Sequence, residues 1–94
     1  MIYKLFSTFD RVAGTFESPA PFVSEPVAIR AFKNVIDTET SFTGLNYRDF
    51  DLFEVGSFDT ATGIIEPVSP RFVTSGLDVK GEKYDTDIPT CSAV

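Results

Sequence analysis

The side chains of this 94-residue chain best suited by type to chemistry are carboxylates. Asp49, Asp51 and Glu54, with Asp59 close behind, form its densest acidic run, and carboxylates at short range can hold Mg²⁺ or Ca²⁺ through oxygen. The spacing matches no EF-hand loop or other cation motif, and on an extended strand Asp51 and Glu54 point to opposite faces. Solvated or edge-guarding charges are the reading these residues support, and Asp85 and Asp87 are equally nonspecific. There is no histidine, which removes Ser-His-Asp and Cys-His catalysis and most zinc sites. A single cysteine, Cys91, has no partner for an internal disulfide and fits either a reducing compartment or no role at all, the plainer reading. Gly14, Gly44, Gly56 and Gly63 stand isolated, so no glycine-rich phosphate loop is present. The expectation is a chain that is not an enzyme and takes no metal or cofactor.

What the chain has in excess is aromatic: ten Phe and three Tyr, without Trp, beside a net charge of −6. Negative charge argues against wholesale attraction to phosphate, yet it is unevenly spread. Residues 1–37 balance Lys4, Arg11, Arg30 and Lys33 against Asp10, Glu17, Glu25 and Asp37, so the whole of the −6 lies in residues 38–94. The length supports one small domain. The N-terminus shows no secretory pattern, and no run approaches the ~20 apolar residues of a membrane span. A soluble intracellular protein without membrane contact is expected.

The elements that would position these residues follow from period and punctuation. Residues 2–9 are β-branched and aromatic and read as a strand, with Tyr3, Leu5, Ser7 and Phe9 on one face and Ile2, Lys4, Phe6 and Thr8 on the other. Asp10 to Gly14 reads as a turn, and Thr15-Phe16-Glu17 as the antiparallel return, stopped by Pro19 and Pro21. Ser24 suits a helix N-cap, with Glu25 in the first turn and Pro26 where a missing N–H does no harm. From Val27 the apolar residues Ala28, Ile29, Ala31, Phe32, Val35 and Ile36 fall on one side of a helix, with Arg30, Lys33, Asn34 and Asp37 on the other. Residues 38–49 read as a loop. Phe50 to Phe58 reads as a strand with a bulge at Gly56, followed by a turn over residues 59–63 and a return strand that stops at Pro67.

The two turns echo each other. Phe9-Asp10-x-x-x-Gly14-x-Phe16-Glu17 and Phe58-Asp59-x-x-x-Gly63-x-Ile65-Glu66 align position for position. The fold class expected is α+β: a ββαββ domain over residues 1–68, an antiparallel sheet with one amphipathic helix on a face, and an extended tail over residues 69–94. The tail's order would come from packing on a subunit or a sheet edge. Since one helix covers one sheet face and the strands carry Phe on both, the second face needs a partner, and a homodimer is expected.

The opening Met-Ile-Tyr-Lys-Leu-Phe-Ser-Thr-Phe-Asp, the helix core Ala28-Ile-Arg-Ala-Phe-Lys33 and the segment Asp51-Leu-Phe-Glu-Val-Gly-Ser-Phe-Asp59 resemble the small nonstructural protein of gokushoviruses, single-stranded DNA phages of the microvirus group. The likeness covers about residues 1–68. Members of that family are described as non-capsid proteins tied to single-stranded DNA synthesis or DNA binding, and no catalytic signature accompanies them. The resemblance implies a single strand as the ligand, gripped by aromatic faces and a basic track. The residues that fit are Tyr3, Lys4, Phe6 and Phe9 on the first strand, Arg11 at its turn, and Arg30 and Lys33 on the polar face of the helix.

Two functions compete on this reading. One is a nonenzymatic phage protein in the host bacterial cytoplasm, acting at the single-stranded DNA stage of replication by weak strand binding or by docking to phage or host replication proteins. The other is a homodimeric protein-interaction module whose acidic surface makes no DNA contact.

Overall fold

A computed structural model describes residues 1–85. The chain runs β1 (Ile2–Asp10), β2 (Thr15–Phe16), β3 (Ala20–Phe22), α1 (Glu25–Asp37), α2 (Phe42–Leu45), a 3₁₀ turn (Tyr47–Asp49), β4 (Phe50–Asp59), β5 (Ile65–Ser75) and α3 (Gly76–Asp85). It is a small α+β domain. The sheet is antiparallel in the order β2-β1-β4-β5, and β3 pairs with the same edge of β1 as β2 does, farther toward its start.

α1 forms as its sequence predicts. Ser24 is the N-cap residue and Pro26 lies in the first turn, although the Ser24 hydroxyl makes no capping bond. Ala28, Phe32 and Ile36, spaced i, i+4, i+8, are the buried residues of this helix. They pack on Phe6 of β1, Phe50 and Leu52 of β4 and Val79 of α3. Full burial of a single large apolar side chain stabilises a fold by roughly 1.5–3 kcal/mol, so this cluster anchors the helical layer on the sheet. The Thr38 hydroxyl closes the helix by donating to the Asn34 carbonyl at 2.8 Å.

The two echoing turns share one geometry. The Gly14 and Gly63 amides each donate to the carbonyl of Asp10 and Asp59 at 2.7 Å, with φ of 74° and 75°. The Asp10 and Asp59 side chains accept from the amides of Val12 and Ala61 at 3.0 and 2.9 Å. An aspartate that satisfies its own turn and a glycine that takes positive φ without strain explain the repeated spelling. The bulge expected at Gly56 is present: the β1–β4 register moves from Leu5↔Gly56 to Phe6↔Glu54, leaving Val55 extra.

Four expectations need correction. The sheet holds a further strand, β3, formed through Pro21, which an edge strand tolerates because its outward N–H has no partner to lose. Residues 38–49 are not plain loop but carry α2 and the 3₁₀ turn. The last strand does not stop at Pro67; it passes through Pro67 and Pro70 to Ser75, because β5 is the sheet's outer edge. Finally, residues 69–85 are not an extended tail: they complete β5 and form α3, whose Val79 enters the core. The rest of the expected tail, residues 86–94, lies outside the described residues. The ββαββ order is therefore part of a longer succession of elements. The molecule measures 53 × 27 × 23 Å.

Candidate functional site

Strand alternation places Phe6, Thr8, Leu52 and Glu54 on the sheet face that meets the helices, and Tyr3, Leu5, Ser7 and Phe9 on the opposite face. That opposite face carries the candidate site. A band of four phenylalanines crosses it, from four of the five strands: Phe16 of β2, Phe9 of β1, Phe53 of β4 and Phe72 of β5, with Phe16 also meeting Phe53 directly across β1, edge to face at 5.4 Å. Ring centroids are 4.7 Å apart for Phe9–Phe16, 5.9 Å for Phe9–Phe53 and 5.8 Å for Phe53–Phe72. The last two contacts are edge-to-face, with interplanar angles of 77° and 82°. Such contacts contribute roughly 0.5–1.5 kcal/mol each beyond area burial, which holds the rings in place without a covering layer. Phe16 remains 44% exposed and Phe72 52%. A second row follows from the register, in which Tyr3 faces Phe58 and Phe58 faces Ile65, with Leu5, Gly56 and Pro67 between the rows.

Charge on this face is confined to one end. Asp51 sits opposite Phe9 in the ladder, and the Arg11 guanidinium reaches it from the turn, Nε to Oδ2 at 3.1 Å. The same guanidinium donates to the Arg48 carbonyl. Burial pushes the Asp51 carboxyl above its ordinary value of 3.8; Arg11 opposes that and Asp78 adds to it. The folded state thus binds a proton more tightly than the unfolded chain does. The stability contributed by this group is full below pH 3.8 and is lost as pH rises through the raised folded value. Asp51→Asn is therefore expected to flatten the pH dependence. In urea titrations at about pH 4 and about pH 7, wild type should lose stability relative to the variant on going to the higher pH. A relative gain would contradict the assignment.

The structure brings three of the sequence-predicted residues, Tyr3, Phe9 and Arg11, to this face or its rim. It separates the other four. Phe6 is 2% exposed and packs in the core, edge to face with Phe22, so it offers no ring to a base. Lys4 projects from the other side of β1. Arg30 is exposed on α1, in the helical layer. Lys33 donates to the Val79 carbonyl at 3.1 Å and pairs with Asp37 at 3.3 Å, tying α1 to α3. Phe16, Phe53, Phe58 and Phe72 are the aromatic members that sequence reasoning missed as site residues. The hairpin offered a signal for Phe16, since a return strand from Phe9 must place an aromatic directly across from it.

The acidic run does not converge. Asp51 lies on the aromatic face, whereas Glu54 lies on the helical face, where Arg71 bonds it through Nε and Nη2 at 3.0 and 2.6 Å and also bonds Glu25. Among the described residues no three potential metal-binding side chains come together, and no helix is long and apolar enough to cross a membrane.

A family model described as Phage ORF5 protein matches residues 3–79, a span that includes both hairpins, α1 and the aromatic row. No curated protein and no solved structure matches the chain.

Proposed function

Because the chain belongs to the Phage ORF5 protein family and is a phage protein, we propose that it acts without catalysis at the single-stranded DNA stage of replication, contacting the strand weakly through its aromatic sheet face or docking there to replication proteins. The observation that carries this reading is the row Phe16–Phe9–Phe53–Phe72, held in place and open along one side. Aromatic side chains that offer a face to a base contribute roughly 1–3 kcal/mol per stacked base and do so without regard to sequence. The rings stand at steep angles to each other, Phe16 and Phe53 included, so a strand would stack on individual rings rather than on all four. Arg11 is the cation at the rim, already shared with Asp51, which keeps the phosphate contribution small.

The test is a fluorescence-anisotropy titration with labelled oligo-dT. Binding is expected in the tens-of-micromolar range at low salt, with a shallow salt dependence. With one or two phosphates neutralised, the slope of log K against log salt should be no steeper than about −1.5. Phe72→Ala should weaken binding by about fivefold or more. No binding at tens of micromolar protein, unchanged by substitution of Arg11, would remove the strand-contact reading.

One observation favours the second reading, a homodimeric interaction module without DNA contact: Lys4, Arg30 and Lys33 all lie away from the aromatic face. Recovery of a replication protein from infected lysate on the immobilised chain, surviving nuclease and lost in Phe72→Ala, would favour docking through this face.

A further inference from the structure

We infer that in the free protein the aromatic sheet face is closed by the same face of a second copy of this chain, so that self-association competes with any other ligand for it. This rests on the reading of that face as the working surface.

The buried residues of α1 and Val79 of α3 pack with Phe6, Phe50 and Leu52, on one face of the sheet. The other side carries Tyr3, Leu5, Phe9, Phe16, Phe53 and Phe72; Ser7 is buried among them, while Phe16 and Phe72 stay 44% and 52% exposed. A one-sided layer of this kind is satisfied by a second layer, and two antiparallel sheets pack face to face at about 10 Å.

Charge selects the occupant. Two copies of a chain with net charge −6 repel each other through most of their surfaces. The aromatic face is the exception, because its rings and aliphatic groups carry no charge and the carboxylate in its ladder, Asp51, is paired with Arg11 at the rim, with Asp78 beside it at the same end. Like-charged copies can meet there without bringing uncompensated charge together. A polyanion gains little from the same surface, since the cation at its rim, Arg11, is already paired with Asp51.

Size agrees with a modest dimer. Strands lie about 4.8 Å apart and rise about 3.3 Å per residue, so a face three to four strands wide along β4 has a footprint of roughly 500–600 Å². Ring relief raises the accessible area toward the ~800 Å² per partner of a standard interface. The apolar groups occur at both ends, Phe9 with Phe16 and Phe58 with Ile65, set by the two echoing turns. A two-fold partner therefore finds apolar surface along the full length of the face.

The experiment is sedimentation equilibrium on the full chain, nuclease-treated, from about 5 to about 200 μM, with oligo-dT anisotropy on the same samples. Wild type should be dimeric at about 100 μM. Phe72→Asp and Ile65→Asp, both at exposed positions of the edge strand, should raise the dissociation constant at least about tenfold with an unchanged circular dichroism spectrum. Phe42→Asp, exposed on α2 in the helical layer, should leave the dimer intact. A monomeric wild type at that concentration overturns the inference, as does a dimer broken by Phe42→Asp and not by the face variants. A dimer of the expected kind with no oligo-dT binding supports the inference while removing the strand-contact reading. Oligo-dT bound with equal affinity above and below the dimer's dissociation constant overturns the competition.

Discussion

Phe50→Ala is expected to lower the unfolding free energy by about 3–5 kcal/mol, which lies in the range for truncating a buried aromatic. Phe50 is fully buried. It begins β4 directly after the 3₁₀ turn, packs in the cluster of Phe32, Ile36, Leu52 and Val79, and meets the ring of Phe42 edge to face at 6.1 Å. Its loss leaves a cavity that the flanking sheet and helices, pinned by backbone bonds, cannot collapse to fill. A domain of this size has a total stability of roughly 5–15 kcal/mol and loses about 4–8 °C of Tm per kcal/mol, so a fall of 12 °C or more is expected by calorimetry. A fall under about 4 °C would mean that the helical layer is not seated on the sheet as described.

The second large effect is expected at Gly76, where β5 passes into α3 without an intervening loop. A β-carbon there would overlap the Tyr47 carbonyl oxygen of the 3₁₀ turn and come within 3.0 Å of Ile36 Cδ1. The backbone cannot give way as a flexible side chain would, so Gly76→Ala should destabilise by about 1–3 kcal/mol or more despite the higher helix propensity of alanine. The lesion should be felt at α3, since that junction seats Val79 in the core and brings its carbonyl to Lys33. Urea denaturation should show a reduced midpoint. An unchanged or raised midpoint would show that the strand-to-helix junction is looser than this packing.

Residues whose local signals agreed with their tertiary surroundings were legible in sequence. α1 declared itself through Ser24, Pro26 and the Ala28/Phe32/Ile36 spacing, and the two turns through their aspartate and glycine pairs, because these are decided within a few residues of chain. β5 was not, because proline is a stop signal in most strands and only the knowledge that this strand is an edge makes Pro67 and Pro70 acceptable. α3 was hidden by Gly76 and Gly81 and by weak amphipathicity; its place depends on Val79 meeting the core. The candidate site divides in the same way. Tyr3 and Phe9 share a face by simple alternation on β1, so their grouping was readable. Phe6 has the same composition signal as Phe9 and the opposite environment, decided by which face α1 covers. Phe53 and Phe72 join Phe9 only through the β1–β4 and β4–β5 registers, both of which contain bulges.

The aromatic sheet face is proposed as the surface where this phage protein contacts a single strand. The most direct test is a titration of the ¹³C-phenylalanine-labelled chain with oligo-dT, read ring by ring by NMR. The claim predicts that the resonances of Phe9, Phe16, Phe53 and Phe72 move together and saturably while those of Phe32 and Phe50 stay in place. Shifts confined to Phe22 of β3 and Phe42 of α2, or none at all at saturating strand, would contradict it.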